Sequence, residues 1–333
     1  MTYRILAINP GSTSTKFAVY DGENQILSKT LNHSVEELSK FNCIMDQFEM
    51  RKNEIENILK ENNIELKTIN AIVGRCGGLP PVKSGAYFIN DEMIDRLTNR
   101  PTLDHASNLG AMISYSIAKE IGVDSYIYDP VSVDESGDIA KVSGLKGLDR
   151  VCLTHTLNTR AMAIKYAKQH NKNYKDLNLI VAHLGGGISL NVHEKGKMVD
   201  FVSDEEGPFS PERAGRLPSK MLVDLCYSGK YTYKEMLKNI RGKGGIVSYL
   251  NTVDAREVEE KIANGDVDAT IITGGIAYSK YIAESISKRV EFIAPVEILA
   301  GENELEALAF GALRVLEGEE EATVYSEADL AKA

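Results

Sequence analysis

The feature that most constrains this chain is a glycine-rich hairpin signature that occurs twice. The first copy runs Ile5-Leu6-Ala7-Ile8-Asn9, then Pro10-Gly11-Ser12-Thr13-Ser14-Thr15-Lys16, then Phe17-Ala18-Val19-Tyr20 and an Asp21-Gly22 turn. The second runs Leu179-Ile180-Val181-Ala182-His183-Leu184, then Gly185-Gly186-Gly187, then Ile188-Ser189-Leu190-Asn191-Val192 and a Lys195-Gly196-Lys197 turn. Each predicts an apolar strand, a turn of small residues, a second strand and another tight turn. Turns without bulky side chains let backbone N–H groups approach an anion closely. Two copies in one chain predict two similar half-domains facing each other across a phosphate-binding cleft. The turn is not a Walker loop, because Lys16 leads into the strand pattern Phe17-Ala18-Val19-Tyr20 and not into a helix. One copy alone would read as an ordinary tight hairpin. The repeat, with a polar residue (Asn9, His183) near each first strand's end, favours phosphate binding.

Length and composition narrow the function class. A chain of 333 residues accommodates two domains with real cores. Its hydrophobic and charged fractions, 43% and 26%, are those of an ordinary globular protein. The net charge of −10, with no basic stripe, argues against a nucleic-acid partner. No apolar run reaches the length of a membrane span, and the N-terminus enters a strand with no room for a signal peptide. Cys43, Cys76, Cys152 and Cys226 are far apart and show no metal-type pairing. The expectation is a cytoplasmic protein in a reducing compartment.

Strand and helix patterns alternate, which predicts an α/β fold. The first hairpin is followed by a predicted long helix over 35–62, with Ser34 and Glu37 as a capping box and Leu38, Phe41, Met45 and Phe48 as its apolar stripe. A buried strand over 71–74 leads to Arg75, a helix over 106–121 stops at Gly122, and a strand over 125–128 delivers Asp129. The second half repeats the scheme. A helix spans about 155–170, and the second hairpin follows. Asp254 and Glu257 cap a helix ending near Gly265, a strand at Thr270 runs into Thr273-Gly274-Gly275, and a last helix spans about 304–316. Functional groups in such folds collect at strand ends and the loops after them. Arg75, Asp129, His155 and Arg213 fit that placement. Singly they also read as a surface charge, a turn former before proline or a helix cap. Together, around glycine turns, they read as a site.

These residues resemble a known family. The stretches Asn9-Pro10-Gly11-Ser12-Thr13-Ser14-Thr15-Lys16, His105-Ala106-Ser107-Asn108-Leu109-Gly110, Ala182-His183-Leu184-Gly185-Gly186-Gly187-Ile188-Ser189 and Gly207-Pro208-Phe209-Ser210-Pro211-Glu212-Arg213 carry the likeness. Thr273-Gly274-Gly275-Ile276-Ala277 and Glu306-Ala307-Leu308-Ala309 complete it. The chain is similar over nearly its whole length to the butyrate kinases, in the acetate kinase branch of the superfamily that holds actin and hexokinase. The resemblance implies two RNase H-like (actin-like ATPase) domains flanking a nucleotide cleft. Residues 1–150, joined by a C-terminal helix over about 304–333, would form the acyl/phosphate domain, and 151–303 the nucleotide-binding domain. It further implies ATP and Mg²⁺, reversible transfer of the γ-phosphate to a short fatty acid, and a homodimer or larger homo-oligomer. Carried over by residue, Asn9, Ser12, Ser14 and Lys16 would form the first phosphate loop, and His183, Gly185, Gly186 and Gly187 the second. Gly274, Gly275 and Ile276 would form the adenosine turn, with Asp254 and Arg256 near the nucleotide. Arg75 and Arg213 would bind carboxylate and transferring phosphoryl, and His155 would contact the phosphoryl in flight. Asn9, Asp129, Glu304 and Glu302 would lie on the magnesium side. His105 and Gly77 would border the acyl group.

The chemistry wants such residues. A carboxylic acid titrates near ~4 to 5, so this nucleophile needs no general base at neutral pH. The difficulty is an anion attacking an anionic phosphate, which fixed positive charge and Mg²⁺ address. Gly77 stands where acetate kinases carry a larger apolar residue, leaving room for a longer acyl tail. Two departures from the family pattern bear on activity. A long helix expected after Asp266 is absent, which predicts exposed apolar surface on the second domain's sheet. The loop over 200–207 is short and lacks a customary Asp-Gly. The alternatives are therefore a nucleotide-binding protein of the same fold with little phosphotransfer, or a kinase for propionate or branched acids.

Overall fold

The computed structural model describes residues 2–254, 256–257, 269–291 and 295–300. The chain divides into two compact units, 1–260 and 261–333.

The first unit opens with β1 (Arg4–Pro10), β2 (Ser14–Asp21) and β3 (Asn24–Asn32), an antiparallel meander. Helices α1 (Val35–Leu38) and α2 (Phe48–Glu61) lead to β4 (Ala71–Gly74). Then come β5 (Ala86–Phe88), α3 (Asp91–Asn99), α4 (Asn108–Ile121) and β6 (Asp124–Tyr128). The six-stranded sheet has the order β3-β2-β1-β4-β6-β5, and its middle strands β1, β4 and β6 run parallel. Strand alternation sends Leu6, Ile8, Phe17, Val19 and Ile72 to one face. There they bury against Ile55 and Leu59 of α2 and Leu109, Ile113 and Ile117 of α4. Each such side chain contributes roughly 1.5–3 kcal/mol when fully buried. This packing fixes where the parallel strands end, and hence where Arg75 and Asp129 emerge.

Two glycines let α4 cross the sheet closely. A Cβ on Gly74 would lie 2.2 Å from the Gly110 carbonyl oxygen, and one on Gly110 would lie 2.4 Å from the Arg75 oxygen. The helix ends as expected at Gly122, whose φ of 74° is in the left-handed region. The long helix expected over 35–62 is instead broken. Ser34 caps α1 as predicted, its Oγ accepting from the Glu37 N–H at 3.1 Å, but α1 stops after one turn. The Asp46 carboxylate accepts from the backbone N–H groups of Asn42 and Cys43, which gives those donors partners outside a helix. Helix resumes through a short 3-10 turn over 45–47.

The rest of the first unit repeats the hairpin plan. After α5 (Asp138–Lys141) and α6 (Thr156–Gln169) come β7 (Asn178–Leu184), β8 (Ile188–Glu194) and β9 (Lys197–Val202), a second antiparallel meander. The correspondence extends to detail. Asn9 pairs with Lys16 at the head of the first hairpin and His183 with Ser189 at the head of the second. In each meander the middle strand slips register after the third residue beyond that pair, at Val19/Tyr20 and Val192/His193. Ala163, Ala167 and Tyr174 pack with Leu179 and Val181 beneath β7. The opposite residues of β7 stay open, with Ile180 and Leu184 74% and 75% exposed. Helices α7 (Ser219–Cys226), α8 (Tyr233–Ile240) and α9 (Val247–Leu250) follow.

The second unit contains the parallel pair β10 (Thr270–Gly274) and β11 (Val296–Ala300), with α10 (Lys280–Val290) between them. The predicted strand at Thr270 is present. The predicted helix over 304–316, and most of the one running from Asp254 to Gly265, lie outside the described residues. Among the described residues no helix is long and apolar enough to cross a membrane. All four cysteines are free thiols.

Candidate active site

The first turn is organised from behind. Gly11 N–H closes it onto the Ser14 carbonyl at 2.7 Å. The fully buried Arg51 of α2 then gathers the turn's carbonyls. Its guanidinium donates to Gly11 O at 2.9 Å, Ser14 O at 3.0 Å and Ser12 O at 3.3 Å, and also to Thr15 Oγ1. Gln47 Oε1 accepts from the remaining edge of the fork. With the carbonyls held inward by a cation, the loop carries Ser12 and Lys16 on its exposed side, beside Asn9. Such a loop favours an anion.

The acid side lies at the ends of β4 and β6. Arg75 follows β4 and donates to the Asp129 carbonyl at 3.1 Å. Asp129 is fully buried with φ 40°, and both of its carboxylate oxygens are engaged. Oδ1 accepts from Gly85 N–H at 2.7 Å, and Oδ2 pairs with Arg160 of α6 at 2.8 Å. Asp129 therefore fixes the Arg75 guanidinium through its backbone, while its side chain ties α6 to the sheet. Beyond Arg75, the Asn108 side-chain oxygen accepts from Gly77 and Gly78 N–H. A Cβ on Gly77 would meet Ser107 Oγ at 3.0 Å and Val131 at 3.6 Å. The same Ser107 Oγ contacts His105 Nδ1 at 3.0 Å, so Gly77, Ser107 and His105 form one wall.

The second turn carries the histidines. His155, at the N-terminus of α6, stacks on His183 with ring centroids 3.9 Å apart and an 11° interplanar angle. Its Nδ1 lies 2.9 Å from Ser189 Oγ. Burial lowers the His155 pKa to about 4, helped by His183, Arg75 and Arg213. The ring is neutral at pH 7, able to donate one N–H and accept at the other nitrogen. Burial likewise lowers His105, with Arg241, Arg75 and Arg213 adding to it. These fields place Arg75, Arg213 and Arg241 around one pair of histidines.

Arg213 is held from both sides. Asp204, buried, pairs with Arg213 at 3.4 Å and with Arg241 at 3.0 Å. Ser210 Oγ and Glu212 N–H donate to the Gly186 carbonyl, which clips the arginine loop onto the second glycine turn. A Cβ on Gly187 would lie 2.9 Å from Asp204 and 3.4 Å from His155, so only glycine fits between carboxylate and imidazole. The short loop over 200–207 is well knit. Arg150 bonds Glu206 and the Phe201 carbonyl, and Glu206 accepts from Ser203 N–H. It thus delivers Asp204 to the arginines.

The remaining expected residues fall on other elements or outside the described residues. Asp254 and Arg256 pair with each other, Arg256 Nε to Asp254 Oδ1 at 2.9 Å. Gly274 ends β10, Gly275 and Ile276 begin a 3-10 turn, and Ile276 is exposed, all in the second unit. Glu302 and Glu304 lie outside the described residues. The sequence alone missed Arg51, Arg160 and Asp204, each the counter-charge or clamp of a residue that it marks, and Arg241, which pairs with Asp204.

On the face of the large sheet away from α2 and α4 lies a cavity of about 670 Å³. Its apolar lining includes Ile5, Ala7, Ala18 and Val73, while Asn9, Lys16 and Arg75 line it where the parallel strands end. The reactive groups thus meet only that end.

Comparison with known proteins agrees with this geometry. The profile of the Acetokinase family matches residues 153–312. Butyrate kinase 1 of Clostridium acetobutylicum is 49% identical over 353 aligned positions, covering 97% of this chain and 99% of that protein. Butyrate kinase 2 of the same organism is 47% identical, covering 98% and 100%. The first alignment is 20 positions longer than the 333-residue chain, so the relative carries segments that this chain lacks. Among solved structures, Porphyromonas gingivalis acetate kinase aligns with a TM-score of 0.62 at 16% identity, over 94% of this chain and 100% of that one. A propionate kinase from Francisella tularensis gives 0.58 at 17% identity, over 91% and 97%. Those two show the fold, that of the actin-like ATPases. With relatives this similar over nearly the whole length, the chain belongs to the acetokinase family, among its butyrate kinases.

Proposed function

We propose that this kinase converts butanoate and ATP to butanoyl phosphate and ADP, reversibly and by direct in-line transfer. The observation that carries the reading is the convergence of Arg75 and Arg213 on His155, which stacks on His183 of the second glycine turn. A carboxylate nucleophile needs no base, and the neutral His155 is suited to donate a hydrogen bond, not to abstract a proton. Arginine forks bind carboxylate and phosphoryl oxygens in pairs, so Arg75 and Arg213 would align the two anions and offset their repulsion. His105, Ser107 and Gly77 would border the acyl tail.

The residues present fit a triphosphate. A Cβ on Gly186 would come within 3.1 Å of Glu212, so the second turn is a cradle that a side chain would fill. Asn9, Ser12, Ser14 and Lys16 would hold phosphate from one side, and His183, Gly185, Gly186 and Gly187 from the other. Asp254, Arg256, Gly274, Gly275 and Ile276 would serve the nucleoside. Mg²⁺, held by Asn9, Glu304 and Glu302 on the side of Asp129, would neutralise charge on the phosphates when bound. Residues 1–150 with the C-terminal helix over 304–333 would act as the acyl domain and 151–303 as the nucleotide domain. The working assembly would be a homodimer or larger, in the cytoplasm.

The test is a hydroxamate assay for acyl phosphate with ATP and Mg²⁺ across C2–C6 acids. The expected result is a signal strongest with butanoate. A folded protein that binds ATP yet gives no signal with any acid would overturn the reading in favour of a nucleotide-binding protein. A maximum at propionate or a branched acid would reassign the substrate.

A further inference from the structure

We propose that His33, Glu37 and Glu54 form a binding site for a first-row transition-metal dication, Zn²⁺ foremost, behind the first phosphate turn. His33 follows β3, Glu37 lies on α1 and Glu54 on α2. One ligand atom from each lies within 4.8 Å of the other two, and among the described residues this is the cluster with that property. His33 Nδ1 stands 3.8 Å from Glu37 Oε2 and 3.6 Å from Glu54 Oε2. Both spacings are too long for hydrogen bonds. Metal–ligand bonds of ~2.0–2.2 Å about a tetrahedral ion put ligands roughly 3.3–3.6 Å apart, so small side-chain rotations close this site.

The second observation is the state of the imidazole. His33 is only 4% exposed, and its Nδ1 has no hydrogen-bond partner, nor has the buried Glu54 Oε2 that faces it. An unpartnered buried polar atom is costly. The other nitrogen, Nε2, lies 2.9 Å from Thr15 Oγ1, and the His33 N–H bonds the Thr13 carbonyl at 2.9 Å. With Nε2–H donating to Thr15, the Nδ1 lone pair points between two carboxylates. A ligating histidine anchored through its far nitrogen is the usual outer-shell arrangement for a metal. Arg51 does not take up these carboxylates. Its donors go to Gln47, Thr15 and the turn carbonyls. Two carboxylates beside one guanidinium leave a net negative pocket. The carboxylates are about a third exposed, at 37% and 35%, which supplies an entry path and room for water as a fourth ligand. One imidazole with two carboxylates suits Zn²⁺, Co²⁺ or Mn²⁺ better than Mg²⁺. The ion would tie β3 and α1 to α2 directly behind the turn that Arg51 holds.

The test uses the full chain, stripped with chelator and free of nucleotide, titrated with Co²⁺ or Zn²⁺ in excess Mg²⁺. The expected result is one equivalent of Co²⁺ with a visible d–d spectrum, displaced by Zn²⁺. Glu54→Gln and Glu37→Gln, both partly exposed, should weaken binding at least about 10-fold, as His33→Asn should where it folds. Zn²⁺ should raise the melting temperature of the wild type and not of Glu54→Gln. Glu304→Gln, on the proposed magnesium side, should keep the Co²⁺ signal. Three results would overturn the proposal: no bound equivalent, binding unchanged in both glutamate variants, or a sulfur-to-cobalt charge-transfer band that assigns the metal to the exposed Cys43 or Cys226.

Discussion

Replacing Arg51 by methionine isolates what the buried guanidinium does for the first turn. The side chain is fully buried, and methionine keeps most of its apolar stem. What disappears are the short bonds to Gly11 O, Ser14 O and Thr15 Oγ1, at 2.9, 3.0 and 2.9 Å, the longer one to Ser12 O and those to Gln47 Oε1. A hydrogen bond to a charged group is worth roughly 1.5–3 kcal/mol net. The two to turn carbonyls at the lower end give about 3 kcal/mol, since Thr15 Oγ1 keeps His33 Nε2 as a partner. For 333 residues, at about 2.1 cal/mol/K of unfolding entropy per residue, 1 kcal/mol corresponds to roughly 1.4 °C, so the melting temperature should fall by roughly 4 °C. Freeing the turn also requires it to be re-ordered by each phosphate, so KM for ATP should rise at least about 10-fold while KM for the acid changes little. Arg51→Lys should lie between, since one ammonium cannot fork across two carbonyls. Calorimetry and steady-state kinetics on both variants provide the check. Arg51→Met with wild-type melting and wild-type KM for ATP would show that the turn holds its shape without the arginine.

Arg213→Ala and Arg75→Ala should each lower turnover at least about 10²-fold with ATP affinity nearly unchanged, since their partners are the two reacting anions; wild-type turnover in either refutes the role. Gly77→Ala places a Cβ 3.0 Å from Ser107 Oγ and should shift selectivity from butanoate toward acetate by roughly 10-fold, read as a ratio of kcat/KM values; an unchanged ratio means that the acyl tail lies elsewhere. Burial lowers the pKa of the fully buried His193 to about 4, so the unfolded chain binds a proton there near pH 6.5 and the folded one does not until about pH 4. Its share of stability should therefore be full above pH 6.5 and decline by on the order of 3 kcal/mol between pH 6.5 and 4; in denaturant titrations across pH, His193→Gln should remove that share and leave the one that His155 contributes over the same range. Amide exchange should be faster in β7 and β10, where Ile180, Leu184 and Ile271 are exposed, than in β1 and β4, where Leu6 and Ile72 are fully buried; equal protection would show that the shorter second half compensates.

Local signals were readable and long-range charge pairing was not. The two hairpins, the helix stop at Gly122 and the strands before Arg75 and Asp129 each follow from neighbours within a few residues. The break between α1 and α2 escaped because the apolar stripe of the segment continues through it. What interrupts the helix is Asp46 reaching back to Asn42 and Cys43. Arg51 sits in Phe48-Glu49-Met50-Arg51-Lys52-Asn53-Glu54, a stretch whose charges read as a solvated helix face. Its burial depends on a turn 40 residues away. Asp204 opens the run Asp204-Glu205-Glu206, which also reads as solvated, and becomes buried only because Arg213 and Arg241 close on it.

The residues that sequence revealed and those it concealed therefore have different jobs. Asn9, Arg75, His183 and Arg213 stand at strand ends or in glycine loops and His155 at a helix start, where the backbone itself marks them. Their partners stand on helices and acidic loops, where nothing local marks them. Asp204 sets the direction of Arg213, Arg160 anchors the Asp129 that steadies Arg75, and Arg51 shapes the turn beside Asn9. This division bears on the loop over 200–207. That loop keeps Asp204 on the arginines because Arg150 and Glu206 hold its backbone. The open side of β7 is a different matter, because cover for a sheet face is a property of area and not of one clamp.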